Sequence, residues 1–317
     1  MKKILLIIII LITCCGCYDY EEITDTSIVV GMSLEKDSEN YLVNAEILSL
    51  DEENKSYVIS DTGKNVADAI KNLEDKIAKN VKYSHLKVLL INKSIDLDEI
   101  KDYFLRNFRF TNNFYLFYSD DFLKDILENN DNEQINSFVI MNLVNETNSN
   151  ILLNTKDAFD FNMAKIMEGK DFVIPNIKLE DKQIVLNGMS VYKKNEVKFY
   201  LDENDTKIYG LLKKKIKNNL IVNNNDAIEI IDSSIKLKYD NAFVYDIFLE
   251  ASIKMLNSTN DINEAEKIFE QYLKSEISKL IDKCYLNDTD ILDFKSIKNT
   301  FKEDYKVSVK INIKENN

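Results

Sequence analysis

Between Thr26 and Leu127 the apolar residues change period repeatedly, and this switching limits the fold more than any other feature of the chain. In TSIVVGMSLEKDSENYLVNAEILSL, Ile28, Val29 and Val30 form an apolar run and Asp37 to Asn40 supply turn residues. Val43, Ala45 and Ile47 then alternate with Asn44 and Glu46, which predicts a β-hairpin. In DTGKNVADAIKNLEDKIAKN, Val66, Ala69, Ile70, Leu73 and Ile77 recur at helical spacing. YSHLKVLLIN reads as a buried strand, and SIDLDEIKDYFLRN as a helix opened by Ser94 or Asp96 with acids in its first turn. Phe114 to Tyr118 form a further strand, and Asp120 and Asp121 start a short helix carrying Phe122, Leu123, Ile126 and Leu127. Three strand-then-helix units in succession predict an α/β arrangement.

The pattern is less regular from Glu133 to Lys170, where Phe138, Met141, Leu143 and Val144 fit a helix. Pro175, the only proline, predicts an extended turn. The main domain boundary is expected near Glu180 to Lys182. Beyond it, two short strands meet at a lysine-asparagine turn, and Asp202 or Asn204 caps a helix with a lysine-rich end. Strands follow around 220–222, 227–239 and 243–255. Asp261 and Glu264 open a long helix that carries Ile262, Ala265, Phe269, Tyr272, Leu273, Leu280, Ile281 and Cys284 on one stripe. YKVSVKINIK closes the chain as a half-buried strand. There is no internal repeat and no heptad seam. With only 6 Gly and 1 Pro, the elements join through Asn- and Asp-rich turns, and no flexible linker is visible. The fold class is therefore α/β (α+β), multi-domain, with helices packed on mixed sheets. Residues 17–181 form an N-terminal α/β region and 182–317 a C-terminal α/β domain.

The first residues, MKKILLIIIILITCCGCYDY, combine a positive start, a short aliphatic block and small residues before Cys17. This is the layout of an export signal, and Gly16 before Cys17 is the arrangement of a bacterial lipoprotein leader. Residues 1–16 would then be removed and the Cys17 thiol and amine acylated. Cys14 stands where such leaders usually carry Leu. A short uncut membrane anchor is the alternative. Removal of the leader would take Cys14 and Cys15 with it and leave Cys284 as the one free thiol, so no disulfide framework is expected. The net charge of −13 would become −15, with 39 basic against 54 acidic residues. Such a chain is repelled by phosphate backbones and anionic lipid surfaces. Nucleic acid is not expected as a partner, and the membrane contact is expected to be the lipid, with the folded body standing off the surface.

No residue pattern points to catalysis, a metal or a cofactor. His85 is the only histidine, so a multi-histidine metal site is ruled out and any Ser-His triad would rest on that one residue. Its neighbour Ser84 would point to the opposite face of a strand. DENDTKIYG from Asp202 and NDTDILD from Asn287 cluster oxygens but lack the calcium-loop glycine and glutamate. The aromatic cluster FRFTNNFYLFY reads as core and strand surface, with Arg106 and Arg109 its only charges.

The order of these segments resembles the Ger(x)C family, the lipoprotein C subunits of spore nutrient germinant receptors. The resemblance lies in Cys17, Tyr18 (where Trp is usual), Asp19, Ile23, Ile28 to Val30 and Gly31, then Ser84 to Val88 after a helix. It continues through LRNFRFTNNFYLFYSDDFLKDIL, through GMSVYKKNEVKFYLDENDTKIYGLL, and through the long helix and last strand. It implies three α/β domains, the first region dividing near Asn150, and no catalysis. It also implies assembly with a polytopic permease-like subunit and a larger membrane subunit, on the outer face of the spore inner membrane. A solute-binding lipoprotein that captures a small nutrient between domains is the second reading. A membrane-anchored hydrolase using His85 is the third.

Overall fold

The computed structural model describes residues 23–49, 55–111, 113–129, 134–146, 170–213, 219–223, 226–239, 245–257, 261–294 and 305–313. The expected leader, Cys14, Cys15 and Cys17, and the expected division near Asn150 lie outside the described residues.

After a 3₁₀ turn at Ile23–Asp25, β1 (Thr26–Asp37) and β2 (Asn40–Leu48) pair antiparallel around Ser38, whose φ of 56° closes the tight turn. β3 (Ser56–Gly63), which the sequence reading missed, adds to the far side of β2. Helix α1 (Val66–Asp75) starts where Asn65 accepts the Asp68 N–H at 2.9 Å, and it buries Val66, Ala69, Ile70 and Leu73. A second missed strand, β4 (Asn80–Lys82), runs parallel to the first residues of β1.

β5 (Val88–Ile91) and β6 (Tyr115–Tyr118) continue the sheet parallel to β1, with α2 (Leu97–Arg106) between them in the chain. Asp96 is the cap of α2, accepting the Asp98 N–H at 2.8 Å. Every residue of β5 is buried because both faces of the sheet are covered, as parallel strands require. Leu89 and Ile91 join the core under α1 and α2. Val88 and Leu90 join a second cluster with Leu123, Ile126 and Leu127 of α3 (Leu123–Leu127) and Ile140 of α4 (Asn136–Glu146). Each of these side chains contributes roughly 1.5–3 kcal/mol by leaving water.

β7 (Phe172–Glu180) meets β6 at Tyr118 and Asn176, and β8 (Gln183–Lys193) and β9 (Glu196–Leu201) complete a nine-stranded sheet of order β3-β2-β1-β5-β6-β7-β8-β9, with β4 on β1. Pro175 is not in a turn. It lies within β7 opposite Met189, beside a register shift before Ile177. A bulge is a place where a strand tolerates a residue without an N–H. Residues 181 and 182, where the sequence reading divides the chain, form the two-residue turn of the β7–β8 hairpin, with φ of 48° and 64°.

Helix α5 (Glu203–Lys213) follows, Asp202 accepting the Asp205 N–H at 2.8 Å. β10 (Asn219–Asn223), β11 (Asp226–Tyr239), β12 (Tyr245–Asn257) and β13 (Tyr305–Ile313) form a separate four-stranded sheet in that order, the last pair parallel. Helix α6 (Ile262–Leu286) buries Ala265, Phe269, Leu273, Ile277, Leu280, Ile281 and Cys284. Its core cluster also takes in Ile228, Ile230, Ile247, Leu249, Val307 and Ile311 from that sheet.

Candidate functional site

The sequence candidates for chemistry do not come together. The strand expected from Tyr83 begins only at Val88, and Ser84 and His85 sit in a turn before it, both exposed. That turn is held by the Leu86 N–H on the Tyr83 carbonyl at 3.0 Å. Asp202 caps α5, and the acids from Asn287 onward form a tight loop in which Asp290 accepts the Phe294 N–H at 2.7 Å. Among the described residues no group of three or more His, Cys, Asp or Glu side chains is placed to hold a metal ion. Burial pushes the Cys284 thiol up to about 12, so it stays protonated, and only the thiolate is a nucleophile. In the aromatic cluster Phe110, Phe114, Phe117 and Tyr118 are core, whereas Phe108 is exposed. Arg109 is a joint: it meets Glu74 at 2.7 Å, lies over the Tyr83 ring and reaches the Val81 carbonyl. Arg106 is exposed beside Asp102.

A polar knot that alternation does not foretell fixes α4 to the sheet. Asn44 and Glu46, the polar members of an alternating strand, are fully buried: Asn44 donates to Ser33 Oγ of β1 at 2.8 Å, and Glu46 meets the first turn of α4. The Glu46 carboxylate accepts the Asn136 N–H at 3.0 Å, the Ser137 N–H at 2.9 Å, the Ser56 hydroxyl at 2.8 Å and the Ser137 hydroxyl. The first turn of a helix presents unpaired N–H groups and a partial positive charge, so an acid here is compensated. Gly31 makes the space: a Cβ there would stand 1.8 Å from Ser137 Oγ.

The two cores meet through shared strands. Phe172, Ile174 and Tyr192 belong to the core under α1 and α2, whereas Val173, Met189, Val191 and Leu201 belong to the core of α5, α6 and the second sheet. Strand alternation sends successive residues to opposite faces, so β7 and β8 are packed on both sides. A cleft of about 920 Å³ opens beside this junction, lined by Lys93, Asp96, Lys193, Lys194, Asn195 and Asp288. The β8–β9 hairpin bridges it. Lys193 donates to the Asp288 carbonyl at 2.6 Å and to its carboxylate, past the end of α6. Asn195 donates to Asp98 in α2. Hydrogen bonds from Lys101 and Asn195 hold Asp98 below the usual carboxylate range. Tyr118 and Tyr200 join across β6 and β9 at 2.8 Å between hydroxyls.

A second hollow, about 410 Å³, lies at the carboxyl ends of β5 and β6, where open α/β sheets receive ligands. Here it is lined by Glu35, Asp120, Asp121 and Asp125. Burial, then Asp125 and Asp37, raise Glu35 above its ordinary value. So acidic a hollow repels carboxylate-bearing solutes. None of the described helices is long and apolar enough to cross a membrane.

These features define a class: a mixed α/β body whose two sheets share packed strands and whose polar groups serve as joints. Its residues 19–179 match the spore germination protein N-terminal domain, and 187–316 match the spore germination B3/GerAC-like C-terminal domain. The chain belongs to this spore germination family. Spore germination protein A3 of Bacillus subtilis (strain 168) is 28% identical over 207 residues, 60% of this chain and 55% of that protein. The chain therefore spans little more than half the length of that relative. The crystal structure of the GerBC protein shares the fold, with a TM-score of 0.58 at 16% identity, covering 93% of this chain and 99% of that one.

Proposed function

We propose that this chain is a non-catalytic, lipid-anchored C subunit of a spore nutrient germinant receptor. Cys17 is acylated after residues 1–16 are removed, and the folded body lies on the outer face of the spore inner membrane. There it docks on the polytopic receptor subunits and helps convert nutrient binding into germination. The observation that carries this reading is the pair of ordered family matches, which begin at residue 19, just after Cys17. The chemistry of the anchor is consistent with it. A single fatty chain holds a protein only marginally, at about 0.8 kcal/mol per buried CH₂, and two or three on one residue hold it for long times. The expected boundary between 17–181 and 182–317 falls in the β7–β8 hairpin, and the Asn195 bond to Asp98 ties the second stretch to the first.

Replacing Cys17 with Ala in sporulating cells tests the reading. Fractionation should find the variant released from spore membranes, and germination with the receptor's nutrient should slow. A variant that stays wholly membrane-bound and active would overturn it.

A further inference from the structure

The two sheets end on four outermost strands, β3 and β9 in the first and β10 and β13 in the second. An outermost strand offers unpaired N–H and C=O groups to any passing chain, and folds usually blunt it with charge, proline or a covering group. Three of the four are blunted here. On β3, Asn72 Nδ2 donates to the Thr62 carbonyl and Lys76 Nζ to the Ser60 carbonyl, both at 2.9 Å. β9 carries Glu196 and Lys198. β13 exposes Lys306 and Lys310, and its Ile311 N–H donates to Glu270 of α6 at 3.0 Å. β10 reads NLIVN, with no charge and no proline, and among the described residues it pairs with β11 alone.

Asn223 and Asp226 pair across a two-residue connection, so their main-chain groups face each other. Alternation then turns the N–H and C=O of Leu220 and Val222 away from β11, to the free side. Their side chains are open as well, 45% and 56% exposed, whereas Ile221 between them is buried in the core of α5, α6 and the second sheet. Apolar side chains and unpaired main chain thus stand on the same two residues. The strand is also nearly palindromic. Antiparallel pairing of two copies about Ile221 sets Leu220 against Val222, Ile221 against Ile221 and Asn219 against Asn223. Leu220 and Val222 then exchange main-chain hydrogen bonds. A two-fold contact requires this self-complementarity. The same register sets Lys217 of one copy opposite Asn225 of the other and keeps the two lysine runs, Lys213 to Lys217, at opposite ends. Parallel pairing would lay those runs side by side, and like charges directly opposite are unfavourable.

We propose that the free edge of β10 is a docking site for a second copy of this chain, joined antiparallel through β10 so that the two four-stranded sheets become one. A strand of 5 residues gives a contact at the small end of specific interfaces. That suits a pair that forms where copies are concentrated and parts again, not an obligate dimer. The inference goes beyond the role proposed above and does not depend on acylation of Cys17.

Leu220→Cys and Val222→Cys fall on exposed side chains, so neither opens the core. In the proposed register, positions 220 and 222 of the two copies stand about 5.5 Å apart at Cα, within disulfide reach. Positions 220 and 220 lie on a diagonal of about 7–8 Å, beyond it. The variants, as full-length chains with different tags, would be co-expressed in sporulating cells and oxidised with diamide before lysis. The unsubstituted chain measures any link through the native cysteines, of which Cys284 is buried. We expect L220C with V222C to give several-fold more disulfide-linked dimer than either variant paired with itself. Equal yields in all pairings, or none above the unsubstituted chain, would overturn the proposal. A link to a protein of another size would give the edge to a different partner and overturn the assignment to a second copy. Sedimentation of the full-length chain in detergent tests it without cysteines. The unsubstituted chain should gain mass with concentration, and Val222→Lys, which adds a blunting charge, should stay monomeric. The same mass for both at every concentration would overturn the proposal.

Discussion

Gly31→Ala tests the buried knot most directly. Gly31 has no positive φ, so the substitution strains no backbone angle and its cost is steric. The new Cβ would stand 1.8 Å from Ser137 Oγ and 3.1 Å from both Ser137 Cβ and Glu46 Oε2. The hydroxyl can swing aside only by giving up its bond to the Glu46 carboxylate. A lost hydrogen bond to a charged group costs about 1.5–3 kcal/mol. The remaining crowding against Ser137 Cβ adds about 1 kcal/mol, the low end for overpacking. We therefore expect a loss of about 2.5–4 kcal/mol. Ser137→Ala alone should cost about 1.5–3 kcal/mol, since the two N–H groups and the Ser56 hydroxyl still hold the carboxylate. In that background the hydroxyl clash is gone, and Gly31→Ala should cost only about 1 kcal/mol. Urea denaturation of the four proteins of this cycle, followed by far-ultraviolet circular dichroism, gives the coupling. Equal costs for Gly31→Ala in both backgrounds would refute the steric account.

Two further measurements bear on the second core. Asp261 accepts the Glu264 N–H at 2.9 Å to start the 25-residue helix α6, so Asp261→Ala should lower stability by about 1 kcal/mol while Asp261→Asn stays near neutral. The Cys284 thiol, raised by burial from near 9 to about 12, should resist a thiol reagent at pH 8 until the protein unfolds. Because the unfolded chain loses that proton first, stability should fall as pH rises from about 9 towards 12, and Cys284→Ser should remove that part of the slope.

Long periodic stretches were legible in the sequence. The β1–β2 hairpin, the stripe of α1, the both-face burial of β5 and the capped helix α6 all follow from spacing and end residues. What stayed hidden depended on distant partners. β3 reads SYVISDTG, too polar to mark itself, and is a strand because β2 offers it an edge. β4 is three residues long and exists by pairing with β1. Glu46 looks solvent-facing until the first turn of α4, far along the chain, meets it. Pro175 signals a break by its chemistry, yet the bulge beside it lets the strand continue.

The shared strands decide how such a body can pass on a signal. A receptor that closes on its ligand needs a hinge, a few residues free to change φ and ψ between two separately packed units. Here the chain crosses between units through β7, β8 and β9. Phe172, Ile174 and Tyr192 are locked into one core, and Val173, Met189 and Val191 into the other. Bending at that point would pull alternate side chains of the same strand from two cores at once. At roughly 1.5–3 kcal/mol for each large apolar side chain exposed, that exceeds what a small nutrient bound in a polar cleft can supply. The body is therefore built to be moved as a unit. A block locked in this way does not close around a ligand by bending at β7 and β8.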